Sequence, residues 1–289
     1  MASTIPTLDD IDQIVTDEVA AEYWERGYWI APKLFDDDQI QRLRRAYERL
    51  WSGDFDYFIR SQFGIPKVDP DSPKVRQQPN AFWLNEEIRR ASTSPLLGKI
   101  GARLMRVETA RLWHDQAIDK PGTGDAEATV DSNVAWHQDY GYWQSVSTTN
   151  MCTAWVALQD TDLSNGGMRM IVGSHQWGLV EGSDTFGQQD LEKLAQQFIA
   201  QTHREWQDEP VILKAGQVSI HHSLIFHGSG PNRTNQTRMG LVVHMMPGET
   251  SYRAGRQWHP NLMFLGPNAY DGQPFIGDYW PQIWPVTEA

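Results

Sequence analysis

His137 and Asp139 stand two residues apart in WHQDYGYW, positions 136 to 143. Residues i and i+2 of a β-strand project from one face, so this imidazole and carboxylate could both reach one metal ion. The same residues also fit an aromatic strand that merely contains them, and so short a motif does not choose between the two. The chain has nine histidines but no HExxH sequence and no cysteine pair, which excludes zinc-protease and zinc-finger chemistry. It also has no GxSxG elbow, Walker loop or GxGxxG fingerprint, so metal-independent nucleophilic catalysis has no motif here.

A third ligand is available in His227 of SLIFHGSGPNRT. The sequence places it at the end of a strand, against a tight Gly-Ser-Gly-Pro-Asn turn that keeps the imidazole at a rim. Two histidines and one carboxylate with open positions opposite form the facial arrangement of non-haem Fe(II) oxygenases. Such a set leaves the ion net positive, so a dianionic cosubstrate chelates it favourably and needs a cation for its far end. Arg238 lies eleven residues beyond His227, at the start of RMGLVVHMM. A hairpin would return it beside His227, with Arg238, Gly240, Val242 and His244 on one face. Its guanidinium forks onto a carboxylate as lysine does not. Taken alone, Arg238 also fits a surface salt bridge.

These side chains need a β scaffold. From about residue 107 the chain becomes a series of apolar, β-rich runs separated by turn residues: 109–118, 134–143, 150–159, 167–173, 217–226 and 238–246. Before them the texture is largely helical, with helices predicted over 17–27, 36–53 and 95–106 and a short strand over 28–32. The fold expected is a mainly β jelly roll or small barrel with flanking N-terminal helices. A single domain is expected: a helical part over about 1–106, a β core over about 107–247 and an extension over 248–289. The helix predicted over 190–207 lies in a long insertion, and 183–209 is either a lid or an outer packing element.

A net charge of −12, with no run of Lys and Arg longer than two, speaks against a polyanion partner such as nucleic acid and leaves room only for a local basic pocket for one anion. No stretch approaches the roughly 18 apolar residues of a membrane span. The single cysteine, Cys152, lies in the apolar run MCTAWVAL; it has no internal disulfide partner and is expected to be buried packing. The N-terminal MASTIPTLDD lacks the basic head and apolar stretch of a signal peptide, and the C-terminal PVTEA is not a peroxisomal address. A cytoplasmic protein is expected.

Taken together, His137-x-Asp139, the distant His227 and Arg238 resemble the Fe(II)/2-oxoglutarate oxygenases, and most closely the phytanoyl-CoA dioxygenase-like family. The stretches DQAIDKPG, CTAWVALQDTDLSNGGMRMIVGSH and HGSGPNRTNQTR carry the likeness, which spans roughly residues 20–250. It implies a double-stranded β-helix with Fe(II) held by His137, Asp139 and His227 at one mouth. It also implies 2-oxoglutarate as cosubstrate, its distal carboxylate on Arg238, and O₂ as oxidant. By position, Gln138, Trp155, Ser229 and Gln116 correspond to residues lining the cosubstrate, although Gln116 stands where the family often has an apolar residue. Lys120 falls in the Lys-Pro motif, with no contact assigned to it. The reaction implied is oxidative decarboxylation to succinate and CO₂, coupled to hydroxylation of a small-molecule substrate. Related enzymes also desaturate, epoxidise or rearrange. Halogenating relatives replace the carboxylate with Ala or Gly, so Asp139 speaks against halogenation. Trp143, Tyr140 and Tyr142 are the candidate substrate wall. On a regular strand Trp143 would share the ligand face, and the two tyrosines would point away. Without metal chemistry, the same jelly roll would be a small-molecule binding protein.

Overall fold

The computed structural model describes residues 5–57, 74–124, 132–185 and 190–286. The first four and last three residues, on which the expectations about the termini partly rest, lie outside the described residues. So do 186–189 of the insertion.

Five helices precede the main β region: α1 (Ile11–Ile14), α2 (Asp17–Arg26), α3 (Asp37–Ser52), α4 (Glu86–Ser92) and α5 (Pro95–Met105). Helix α3 starts where the sequence predicts, in a capping box. The Asp36 carboxylate accepts from the Gln39 amide while the Gln39 side chain accepts from the Asp36 amide. Such a cap contributes on the order of 1 kcal/mol. The helix ends at Gly53, whose φ of +80° is the left-handed conformation glycine adopts without penalty. Between helices lie two strands, β1 (Tyr28–Lys33) and β2 (Arg76–Pro79). The polar RQQP of β2 carries no strand signal in sequence; it forms by pairing along β3 (Ala110–Lys120).

The remaining strands are β4 (Val134–His137), β5 (Cys152–Ala157), β6 (Met168–Ile171), β7 (Asp208–Pro210), β8 (Gln217–His222), β9 (His227–Ser229), β10 (Arg238–Pro247) and β11 (Gln282–Trp284). The large sheet runs β1-β8-β5-β10-β3-β11, with β2 beside β3, and the small sheet runs β4-β9-β6-β7; every pairing is antiparallel. This is the double-stranded β-helix expected from the sequence.

Alternation sorts the large sheet. Cys152, Ala154 and Val156 of β5, with Leu241, Val243 and Met245 of β10, pack against the N-terminal helices in one core. Thr153 and Trp155, with Arg238, Val242 and His244, face the other way and line a cavity between the sheets. The outer face of the small sheet is covered by α6 (Leu191–Thr202): Leu194 and Phe198 pack on Ala135, Trp136, Ile171 and Phe226. The described part of 183–209 is therefore an outer packing element, and none of its residues lines the cavity. The segment after β10 packs Leu262, Leu265, Phe275 and Trp280 around Trp113 and Trp143. No helix among the described residues is long and apolar enough to cross a membrane.

Three local expectations are corrected. The predicted strand over 134–143 stops at His137, and Asp139–Tyr142 is a 3-10 turn. The cause is tertiary: the Tyr140 amide donates to the Ser223 carbonyl at 2.9 Å, which draws the chain out of the ladder. The predicted run over 217–226 also breaks, after His222, so His227 begins a strand instead of ending one. Nor do β9 and β10 form a hairpin: β9 belongs to the small sheet and β10 to the large one.

Candidate iron and cosubstrate site

Strand β4 pairs with β9 in a register that sets His137 directly opposite His227. Their ring centroids are 4.1 Å apart. Asp139, first residue of the 3-10 turn, completes the group: its Oδ1 is 3.6 Å from Nε2 of each histidine. Among the described residues this is the group of histidines and carboxylates whose ligand atoms converge within 4.8 Å, and all three are buried.

The surroundings prepare each donor. His137 Nδ1 lies 2.8 Å from the Ala135 carbonyl and His227 Nδ1 lies 3.1 Å from the Ile225 carbonyl. A carbonyl only accepts, so both Nδ1 atoms carry the hydrogen and both Nε2 lone pairs are free. Asp139 Oδ2 accepts from the Thr153 hydroxyl at 2.7 Å and faces His221 Nε2 at 3.3 Å, which leaves Oδ1 for the ion. Burial raises the Asp139 carboxyl, but the imidazoles of His227 and His137 outweigh it, so the group stays well below the usual carboxylate range. Burial likewise holds His227 well below the usual histidine range, hence neutral and ligand-ready. The donor set fits one Fe(II) ion.

The sequence assigns no role to Thr153 or to His221, one of the nine histidines, although the alternation of β5 places Thr153 with Trp155. Thr153→Val keeps the shape but removes the hydroxyl. It is expected to weaken Fe(II) binding roughly 10- to 100-fold, as loss of an orienting partner does. An unchanged affinity in an anaerobic Fe(II) titration would rule out that orienting role.

Arg238 lines the same cavity, which has a volume of about 330 Å³. It is 2 % exposed, its guanidinium lies 5.0 Å from the centroid of the Trp155 ring, and Nη2 donates to the Gly166 carbonyl at 2.9 Å. Nε has no hydrogen-bond partner among the described residues. Gly240 makes the stacking possible, because a Cβ there would lie 2.3 Å from Trp155 Cζ2. Burial lowers the Arg238 pKa to about 10, which leaves it cationic at neutral pH. A buried, partly unsatisfied guanidinium on the wall of an iron cavity suits a carboxylate. Arg238 reaches this position through pairing with Lys120 on β3, not by returning beside His227.

Ser229 and Gln116 also line the cavity. Lys120, unassigned in sequence, donates to Ser229 Oγ and to the Gly230 carbonyl, both at 2.6 Å. The Ser229 hydroxyl hydrogen is thereby left to donate elsewhere. Burial, with Arg238 nearby, holds the Lys120 amine well below its usual range. Gln138 is a correction: it does not line the cavity. Its amide donates to the Gly178 and Leu224 carbonyls and accepts from the Val180 amide, so it ties neighbouring loops together. Tyr140 is a second correction. Its hydroxyl donates to the Val146 carbonyl inside the cluster around Trp113, away from the cavity. The turn that ends β4 breaks the expected alternation at Tyr142, which lines the cavity together with Trp143.

A two-histidine, one-carboxylate cluster inside a double-stranded β-helix, with a buried arginine on the same cavity wall, defines the class of non-haem iron oxygenases. The family model of phytanoyl-CoA dioxygenase (PhyH) matches residues 23–240, well over half of the chain, and the protein belongs to that family. It is an Fe(II)- and 2-oxoglutarate-dependent dioxygenase. The peroxisomal phytanoyl-CoA dioxygenase of Rattus norvegicus is 24% identical over 263 residues, covering 85% of this chain and 72% of the relative. Among solved structures, the non-haem α-ketoglutarate-dependent carbocyclase SnoK from nogalamycin biosynthesis aligns with a TM-score of 0.70 at 21% identity, covering 97% of this chain and 99% of that one. The epimerase SnoN, in complex with Fe³⁺, α-ketoglutarate and nogalamycin RO, gives 0.68 at 21% identity, over 96% and 100% of the two chains. At these identities the structural likeness shows a shared fold.

Proposed function

We propose that the protein hydroxylates a small molecule with apolar or aromatic surface, bound in the cavity between the two sheets. One observation carries this: His137, Asp139, His227 and Arg238 line a single chamber that Tyr142 and Trp143 also line. His137 and His227 direct their Nε2 lone pairs, and Asp139 its Oδ1, at one point where Fe(II) would be held. Arg238 receives the distal carboxylate of 2-oxoglutarate, and the Ser229 hydroxyl, polarised by Lys120, is the further donor on that wall. Bound iron, with 2-oxoglutarate and O₂, supplies the oxidant for C–H cleavage and yields succinate and CO₂. The chain keeps water from the reacting centre: the three ligands are only 6–7% exposed. Arg238 is the only cation among the described lining residues, which speaks against the phosphates of an acyl-CoA. A cytoplasmic setting belongs to the same proposal, since the lone, buried Cys152 forms no internal disulfide and ties the fold to no oxidising compartment.

Succinate formation under O₂ is expected to need both Fe(II) and 2-oxoglutarate and to rise when a panel of apolar and aromatic metabolites contains the substrate, with a product heavier by one oxygen. A product lighter by two hydrogens would replace hydroxylation by desaturation. No turnover under any condition would sink the catalytic proposal.

A further inference from the structure

Three more histidines line the cavity and have no part in the chemistry above: His114 on β3, His244 on β10 and His259 in the segment after β10. Their rings form a row, with centroids 4.3 Å apart for His114 and His244 and 5.2 Å apart for His114 and His259. Local partners settle where each hydrogen sits. Thr153 donates its one hydroxyl hydrogen to Asp139, so its 2.8 Å contact with His244 Nδ1 requires an N–H there. His244 Nε2 is then an acceptor, faced by the Gln116 amide nitrogen at 3.4 Å. His114 Nδ1 lies 3.4 Å from the Asp115 carbonyl, which again requires an N–H. His114 Nε2 is therefore an acceptor too. It is buried, in a residue 2 % exposed, and has no hydrogen-bond partner among the described residues.

His259 is the converse. Its Nδ1 accepts from the Asn261 amide at 3.2 Å, so Nε2 carries the hydrogen. Burial keeps the row uncharged, lowering His114 to about 4 and His244 and His259 well below their usual range. One wall of the cavity thus offers an unsatisfied acceptor next to a donor. Trp143 meets His114 and His244 edge-on at 5.8 and 4.7 Å and supplies apolar surface beside them. Asp139 and Arg238 are the only charged groups among the described lining residues. A hydroxyl is the smallest organic group that donates and accepts through one atom, and a buried acceptor strongly favours a ligand that satisfies it.

We propose that the substrate is an uncharged alcohol or phenol whose hydroxyl docks between His114 Nε2 and His259 Nε2, a proposal that rests on this cavity being the substrate chamber. The hydroxyl donates to His114 and accepts from His259, and it is a recognition handle, not the atom oxidised.

The test is anaerobic calorimetric titration of the full-length enzyme loaded with Fe(II) and 2-oxoglutarate. The probes are 2-naphthol, 4-phenylphenol and cyclohexanol, each against its own methyl ether. At least one hydroxyl probe is expected to bind about tenfold or more tightly than its ether, the effect of one hydrogen-bond pair. His114→Phe removes the acceptor and is expected to abolish the preference. His259→Phe, at a half-buried position, is expected to do the same should the first variant fail to fold. The Fe(II)–2-oxoglutarate charge-transfer band should persist in both. Equal binding of alcohol and ether, no binding by any hydroxyl probe, or a preference that survives both substitutions would overturn the proposal. Absence of the band in the unsubstituted enzyme would instead sink the oxygenase assignment.

Discussion

Replacement of His137 by alanine is expected to abolish stoichiometric Fe(II) binding and, with it, all 2-oxoglutarate turnover. His137 and His227 face each other across one β4–β9 pair, and Asp139 approaches both at the same 3.6 Å. Removing one imidazole leaves a single histidine and a carboxylate, which is no facial set. The remaining structure has reason to survive. His137 contributes one hydrogen bond to the Ala135 carbonyl, while β4 stays packed through Trp136 against α6. Anaerobic Fe(II) titration beside a circular dichroism melt separates loss of metal from loss of fold. Tight stoichiometric binding by a folded variant would place the metal elsewhere. Asp139→Ala should be as severe for iron but harsher on stability, because Thr153 and His221 both lose their partner on Oδ2.

Arg238→Ala is the second large effect. It is expected to weaken 2-oxoglutarate binding by about 2–5 kcal/mol, as loss of one member of a buried charge pair does, or roughly 30-fold to several thousand-fold. Iron binding should hold, since Arg238 lies on the large sheet and contacts none of the three ligands in hydrogen bonds. Arg238→Lys is expected to recover only part of the loss. An ammonium lacks the planar fork, and it would stack less well on Trp155. The measurement is a 2-oxoglutarate titration followed at the charge-transfer band, alongside Fe(II) affinity. Equal loss of both ligands would make Arg238 a structural residue.

Much of this site was legible in the chain, for identifiable reasons. Strands β5 and β10 alternate apolar residues toward the helices with Thr153, Trp155, Arg238 and His244 toward the cavity, so a period of two already sorted their faces. Helix α3 announced itself through Asp36, Gln39 and Gly53. What stayed hidden was set by contacts distant in sequence. The aromatic run after His137 has every local mark of a strand, yet one hydrogen bond from Tyr140 to Ser223 turns it. That turn brings Tyr142 into the cavity, where a regular strand would have pointed both tyrosines away. Strand β9 is the reverse case: His-Gly-Ser has little strand preference and exists because β4 and β6 clamp it on both sides. Gln138 follows from the same turn, its amide drawn into the loop around Gly178 and Val180. The imidazole row of His114, His244 and His259 needed three separate chain segments to meet, and no spacing encodes that.

The division of labour between the two sheets has a thermodynamic corollary. Two of the three proposed iron ligands belong to the small sheet, the third follows directly on it, and Arg238 belongs to the large one. A cosubstrate held at both ends is a tie between layers whose strands share no ladder. Its binding free energy adds to resistance against unfolding as RT ln(1 + [L]/Kd), so occupancy and melting temperature rise together. The layers also differ in reserve. β4 and β9 span four and three residues, whereas β3 and β10 pair over ten positions. Amide protons of β4 and β9 should therefore exchange first when the chamber is empty and gain most protection when it fills. With 2-oxoglutarate on Arg238 and the metal, the cosubstrate would also be a structural member, and the state ready for chemistry is expected to be the more rigid one.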